Sequence, residues 1–210
     1  VEAQLRLLQA QIEPHFLFNT LANVVSLIEP APARATQMLE HFIAYLRASL
    51  AASRATRGTV GQETALLSDY LQVLKIRMGQ RLTWTLDVDP ALADVALAPM
   101  LLQPGVENAI KPPAKRKLDA GAVGPLHPGD AHAEDAALEP VERHGRSQLC
   151  LVVLIEDDGL GFRPSGHAGV GLGNLRERLA VLHEGRASLT IEERQPGTAV
   201  RLELPIDEAS

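Results

Sequence analysis

The first 52 residues carry a helical hydrophobic pattern that two prolines interrupt, and this pattern limits the possible folds more than any other feature of the sequence. Apolar residues recur at steps of three and four along residues 1–28 and again along residues 33–52, as on one face of a helix. Pro30 and Pro32 mark a short turn between them. We therefore predict an antiparallel hairpin of two amphipathic helices. Its apolar stripes are formed by Leu5, Leu8, Ile12, Leu17, Leu21, Val24 and Ile28, and by Leu39, Phe42, Ile43, Leu46 and Leu50.

A single helical hairpin cannot bury both of these stripes well. A second copy of the hairpin would cover them at little cost, because four amphipathic helices can share one core. The sequence therefore predicts a homodimer that is held together by a four-helix bundle.

A proline and a histidine stand inside the first helix. Pro14 lacks a backbone N–H and its ring clashes with the carbonyl of Ala10, so the helix should kink just before His15. An imidazole beside a kink is suited to chemistry, although a histidine here can also simply pack or face water. We expect His41, the rival histidine on the second helix, to be a surface or packing residue.

The rest of the chain reads as a second module. Residues 53–61 are small and polar and predict a linker, which divides the chain into residues 1–57 and 58–210. Helical and alternating patterns then follow one another, so we predict an α+β sandwich with helices on one face of a mixed sheet. The predicted helices are 62–78, one opening at Pro99, and 175–183; the predicted strands are 82–88, 149–155, 186–194 and 198–204, the last two joined by a hairpin turn at 195–197.

Composition narrows the class of protein. The chain has a net charge of −6 and a pI of about 5.6, which argue against nucleic acid as its main partner. The single cysteine, Cys150, rules out a disulfide within the chain and fits a reducing compartment. There is no run of 18 apolar residues that would span a membrane. Val1 opens directly in helical sequence, so we expect the chain to be a piece of a longer protein.

Three polar constellations in the second module suggest chemistry. Glu107, Asn108 and Lys111 fall within one helical turn, where an amide oxygen can ligate Mg²⁺ and an ammonium can neutralise phosphate. A solvated polar face would look the same. Asp157 and Asp158 end the buried strand and precede glycines, so a carboxylate there can accept a hydrogen bond from an amine such as adenine N6, although Asp-Gly turns are common. Alternate glycines at 169, 171 and 173 precede a helix and can offer N–H groups to phosphate.

Taken in order, these segments resemble the cytoplasmic part of sensor histidine kinases of the LytS-like class. Residues 11–19, Gln-Ile-Glu-Pro-His-Phe-Leu-Phe-Asn, resemble its phosphoacceptor box. Residues 102–111 resemble its N box. Residues 157–161, Asp-Asp-Gly-Leu-Gly, resemble the first glycine box, and residues 169–179 the second. The resemblance implies a helical dimerisation domain followed by a Bergerat-type ATPase domain.

The resemblance also implies roles and partners. His15 would be the phosphoacceptor, Asn108 the Mg²⁺ ligand and Glu107 a group acting near the γ-phosphate of ATP. Phosphate would pass to an aspartate of a response regulator, and the chain would be the cytoplasmic fragment of a bacterial protein anchored in the inner membrane through a missing N-terminal sensor segment. The other implied ATP-binding residues are Lys111 on phosphate, Asp157 on adenine, and Gly159, Gly161, Gly169, Gly171 and Leu172 around the lid.

Some positions depart from the family pattern. Gly105 stands where an apolar residue is usual, and an interior helical glycine costs roughly 1 kcal/mol relative to alanine. Pro112 and Pro113 end the N-box helix early. Residues 112–147 show little apolar periodicity and read as a disordered insertion. Two hypotheses therefore stay open: an active histidine kinase, or a degenerate kinase that serves as a dimeric docking scaffold. An ATP-driven clamp without phosphotransfer is a third, which would leave the His15 box unexplained.

Overall fold

The computed structural model describes residues 14–110, 129–143, 146–157, 170–194 and 197–206. Two helices open it, α1 over Pro14–Ile28 and α2 over Pro32–Arg54. A proline stands in the first turn of α2, where its missing N–H costs nothing. The predicted hairpin is therefore present, but the residues before Pro14 lie outside the described residues, so the kink stays a prediction.

The segment predicted as a linker is largely ordered. Gly58–Thr59 forms a short strand, β1, which pairs antiparallel with β3, Ala96–Leu97. Thr59 then caps α3, Val60–Met78, through a capping box with Gln62. As predicted, α3 ends at Gly79, which has a φ of 64°.

Helix α3 is the centre of the fold. It packs against α2 on one side and against β2, Leu82–Val88, on the other. Because α3 covers it, the buried face of α2 is not the stripe expected from the sequence. Of that stripe only Phe42 is buried, while Leu39 and Ile43 are exposed. The buried face of α2 consists of Ala35, Met38, Phe42, Tyr45 and Ser49. The sequence pattern thus misidentified the face of α2 that is buried within the chain.

Five strands form the main sheet in the order β2–β4–β5–β7–β6. The pair β2–β4 is parallel and the other three pairs are antiparallel, so the sheet is mixed, as predicted. The remaining strands are β4, Gly129–Arg143; β5, Arg146–Asp157; β6, Ser188–Glu193; and β7, Thr198–Pro205. The predicted α+β class is confirmed.

Strand β4 corrects the prediction of disorder across 112–147. It lies between β2 and β5 and pairs with both. Its sequence has no clear alternation, but backbone hydrogen bonds to two neighbours do not depend on side-chain pattern. Residues 112–128 and 144–145 lie outside the described residues.

Two helices begin elsewhere than the sequence suggested. Helix α4, Gln103–Ile110, starts four residues after Pro99, because the backbone N–H groups of residues 100–102 bind the side chain of Glu63 instead of entering a helix. Helix α5, Val170–Leu182, starts earlier than expected, so Gly171 and Gly173 lie in its first turn.

One hydrophobic core runs through the described residues, from Phe16 in α1 to Leu204 in β7. It is mainly aliphatic, in line with an aromatic content of 3%. No helix in the described ranges combines the length and the apolar character needed to cross a lipid bilayer.

Candidate functional site

Helix α4 carries two of the candidate residues. Glu107 and Asn108 are both half-buried on it. The Nε2 group of Gln103, one turn earlier, donates to Glu107 Oε1 at 2.8 Å. The carboxylate is therefore held by a neutral donor on its own helix. Lys111, the third candidate of this segment, lies outside the described residues.

A close approach fixes α4 against the sheet. A Cβ atom at Gly105 would lie 2.6 Å from Cδ1 of Ile155, far inside van der Waals contact. A larger residue here would require the end of the Ile155 side chain to shift, so α4 packs closely on β5 two positions before Asp157. The residue that departs from the family pattern at position 105 thus lies where α4 approaches the sheet.

The start of α5 lies beside the start of α4. A Cβ atom at Gly171 would lie 3.9 Å from the backbone oxygen of Pro104, and Leu172 is buried in the core. Asp157 ends β5, where it stands opposite Thr198 of β7. The structure thus assembles α4, the end of β5 and the first turn of α5 into one region. Gly159, Gly161 and Gly169 lie outside the described residues.

The segment before α4 is held from two sides. Glu63, only 2% exposed, accepts hydrogen bonds from the backbone N–H groups of Met100, Leu101 and Leu102. Arg178 of α5 donates to the backbone oxygens of Met100 (3.0 Å) and Pro99 (2.6 Å). Met100 has a φ of 55°, a conformation that non-glycine residues rarely adopt. The hydrogen bonds from Arg178 and to Glu63 hold the backbone in this conformation.

Burial raises the pKa of the Glu63 carboxyl above its usual value. The three backbone N–H groups and the nearby charge of Arg178 oppose this shift without cancelling it. Glu63 of α3 and Arg178 of α5 therefore both bind the segment that precedes α4.

His15 lies on the hairpin and is exposed. Its ring nitrogens are 3.0 and 3.1 Å from Nδ2 of Asn19, one helical turn further along α1. An exposed imidazole that is oriented by its own helix can be approached by a second molecule or domain. His41 differs, since its Nδ1 is 2.9 Å from Oδ1 of Asp69 in α3, so it takes part in packing the hairpin on the core, as expected.

Comparison with known proteins shows what the chain is similar to. The histidine kinase family matches residues 3–82. The chain is 26% identical to the sensor histidine kinase YesM of Bacillus subtilis (strain 168) and 28% identical to the sensor protein LytS of Staphylococcus haemolyticus (strain JCSC1435). Each alignment covers 97% of this chain. Over nearly its whole length the chain is similar to these sensor histidine kinases.

The chain spans about a third of the length of these curated relatives, 33% of YesM and 34% of LytS. Among solved structures, the histidine kinase domain of the blue-light activated kinase from Erythrobacter litoralis EL346 has a TM-score of 0.48 at 16% identity, covering 97% of this chain and 91% of that domain. A structural likeness with this TM-score carries no argument about the chain. The similarity reported above rests on sequence.

An aromatic cluster joins the hairpin to α3. The ring of Phe16, next to His15, lies 5.7 Å from that of Tyr45 and 5.1 Å from that of Tyr70. Tyr45 is 1% exposed, and its burial raises the pKa of the hydroxyl to about 12. The hydroxyl therefore stays protonated and accepts a hydrogen bond from Gln103 Nε2 at 2.9 Å.

Sequence reasoning missed the supporting residues of this candidate site. Glu63 could have been noticed, because it falls on the apolar face of α3 between Val60 and Leu66, where an acid needs buried donors. Tyr45 gave no comparable signal, since its partner Gln103 is 58 residues away.

Proposed function

We propose that the chain is the kinase core of a two-component sensor histidine kinase, which transfers the γ-phosphoryl group of ATP to His15. One observation carries the proposal: α4, the end of β5 and the first turn of α5 converge on one region, while the hairpin presents His15 to solvent. A nucleotide region and an exposed nucleophile on one chain are the two parts that such a transfer needs.

The donor set of the region fits Mg·ATP. Asn108 offers an amide oxygen, a ligand type that Mg²⁺ accepts, beside the carboxylate of Glu107. Asp157 offers an acceptor for the adenine amine, and the first turn of α5 offers backbone N–H groups to phosphate. In this proposal Lys111 neutralises phosphate charge, and Gly159, Gly161, Gly169, Gly171 and Leu172 shape the lid over the nucleotide.

The transfer needs little covalent help from the protein. A lone pair of the neutral His15 imidazole forms the N–P bond as the bond from phosphorus to the β-γ bridging oxygen breaks, and ADP leaves with that electron pair. The ring, which is exposed, then loses its other N–H proton to water and becomes neutral again. Asn19 holds the ring in one orientation, and Glu107 acts near the γ-phosphate. Positioning and charge neutralisation supply most of the rate.

The exposed face of the hairpin supports assembly into a homodimer. On α1 the exposed apolar residues follow one another at steps of three and four, as on one face of a helix, and α2 adds two more. Exposed apolar stripes of this kind mark protein interfaces. They are Phe18, Leu21, Val25 and Ile28 on α1, and Leu39 and Ile43 on α2.

The remaining partners follow from the proposed activity. Phosphate on His15 would pass to the aspartate of a response-regulator receiver domain, and an N-terminal sensor segment outside this chain would anchor the protein at the bacterial inner membrane.

The test is autophosphorylation of the purified chain with labelled Mg·ATP. Label should be acid-labile and base-stable, as expected for phosphate on an imidazole nitrogen. The His15→Gln variant should abolish it while ATP binding and dimerisation stay unchanged, and His41→Gln is the matched control that keeps the label. Label that persists in His15→Gln would move the site elsewhere. A parent chain that dimerises but binds no ATP would favour the docking scaffold.

A further inference from the structure

One side chain connects the hairpin to the helix that carries Glu107. The Nε2 group of Gln103 donates to Tyr45 Oη at 2.9 Å and to Glu107 Oε1 at 2.8 Å. A primary amide has two N–H groups, so both are engaged, one toward each partner. Gln103 thereby bridges α2 and α4 through a single nitrogen.

The chemistry of the partners permits one amide orientation. An ionised carboxylate only accepts hydrogen bonds, so the NH₂ side of Gln103 must face Glu107. The side chain is 7% exposed, and among the described residues no donor reaches its Oε1 atom. Turning the amide over would place this oxygen against the carboxylate of Glu107. The Gln103 amide therefore keeps one orientation, with its Nε2 group toward Glu107.

The other end of the bridge is fixed by packing. Tyr45 is 1% exposed, and its ring lies 5.5 Å from that of Tyr70 in α3 and 5.7 Å from that of Phe16 in α1. Phe16 directly follows His15. The position of the Tyr45 hydroxyl thus depends on how the hairpin packs on α3, and the orientation of Glu107 depends on that hydroxyl.

We propose that Gln103 is a positioning residue for the phosphoryl transfer, which holds the Glu107 carboxylate in one orientation by anchoring on the Tyr45 hydroxyl of the hairpin. The inference rests on the proposed function, in which Glu107 acts near the γ-phosphate. Gln103 and Tyr45 touch neither ATP nor His15 in this account. They make the geometry of the catalytic helix depend on the hairpin that carries the phosphoacceptor.

A simpler account is that Gln103 and Glu107 form an ordinary helix-stabilising pair at i and i+4. That account gives Tyr45 no part in catalysis, so the two explanations separate at the Tyr45 hydroxyl. Tyr45→Phe removes this hydroxyl and keeps the ring. The variant leaves one Gln103 N–H without its acceptor, so Gln103 and the Glu107 carboxylate that it binds lose their anchor on the hairpin.

The kinetic test compares Tyr45→Phe and Gln103→Met with Tyr70→Phe, which removes a hydroxyl from the same ring cluster. We expect the first two variants to lower kcat for autophosphorylation about three- to tenfold, the effect of one hydrogen bond, with KM for Mg·ATP within about twofold. The double variant should lose little more than either single variant, because both break one bridge. Unchanged kcat in the first two, or an equal loss in Tyr70→Phe, would overturn the inference.

A second readout does not need activity. The side-chain amide signals of Gln103, observed by NMR on the full chain, should shift in Tyr45→Phe and in Glu107→Gln but stay in place in Tyr70→Phe. If the parent chain is an active kinase but the Gln103 signals do not move in these two variants, the bridge does not exist in solution. The proposed function would then still stand. A parent chain that takes no label from Mg·ATP would remove the proposed function, and the catalytic part of this inference with it.

Discussion

Helices α1 and α3 are both amphipathic, but they differ in how much of their surface is buried. Of the 19 residues of α3, nine are buried, because α2 covers one side and the sheet the other. Of the 15 residues of α1, three are buried, and four large apolar side chains of its outer face stay exposed. The contrast shows that α3 completes its packing among the described residues, whereas these residues leave the outer face of α1 uncovered.

The largest expected effect tests the buried side of this contrast. Leu67 of α3 is 1% exposed, so Leu67→Ala should leave a cavity and lower the free energy of unfolding by about 2–5 kcal/mol. Val25→Ala on α1, where the side chain is 68% exposed, is the control and should cost the folded chain less than about 0.5 kcal/mol. Urea denaturation measures both. Similar losses at the two positions would show that α1 is buried in solution.

The next effect concerns the acid inside α3. Glu63→Gln should lower the free energy of unfolding by about 1–3 kcal/mol at pH 5, because the new NH₂ group faces backbone N–H groups that need an acceptor. Thermal unfolding of both proteins over a pH series gives the measurement. The exposed Glu40→Gln on α2 serves as the control and should be nearly neutral.

The same pair of proteins yields a pH dependence. Since burial raises the pKa of Glu63 in the folded chain, folding favours its protonated form. The stability that this adds is fully present below the ordinary value of 4.5 and is lost as pH rises through the folded pKa. The advantage of the parent over Glu63→Gln should therefore shrink as pH rises above 4.5. An advantage that grows with pH would mean that the three N–H groups outweigh burial.

A smaller effect is expected on the open side of the contrast. Phe18→Glu places a charge in the exposed stripe of α1 and should weaken dimerisation about tenfold or more, with little change in the stability of each chain. Sedimentation velocity over a concentration series follows the dimer. Glu29→Gln, at an exposed position just past α1, is the control that should leave the dimer intact. A dimer that tolerates Phe18→Glu would place the interface elsewhere.

The smallest effect lies on the buried side of α1. Thr20 is 0% exposed, and within the described residues its hydroxyl has no hydrogen-bond partner. Thr20→Val keeps the shape and removes this cost, so it should stabilise the chain by about 0.5–1.5 kcal/mol. Chemical denaturation decides it. A loss of stability would mean that the hydroxyl has a partner, such as an internal water.

Much of the fold could be predicted locally. The hairpin, α3 with its Gly79 cap, β2 and the β6–β7 hairpin follow from periodicity and turn residues, which act over a few positions. The candidate segments of the nucleotide region were also visible in the sequence. The roles of these segments stay predictions. Lys111 and residues 158–169 lie outside the described residues.

The sequence by itself determined which stretches are helical or extended, where the turns fall, and which histidine stands in a distinctive box. The tertiary structure alone decided which face of α2 is buried, that residues 129–143 join the sheet, and that α4 begins at Gln103. It also placed Gly105 against the side chain of Ile155 and joined Tyr45 to Glu107 through Gln103. The hydrophobic periodicity of a helix indicates that one face will be buried, but it does not indicate which element buries that face. The covering groups here, such as Glu63 over residues 100–102, are dozens of positions away along the chain, and only folding brings them together.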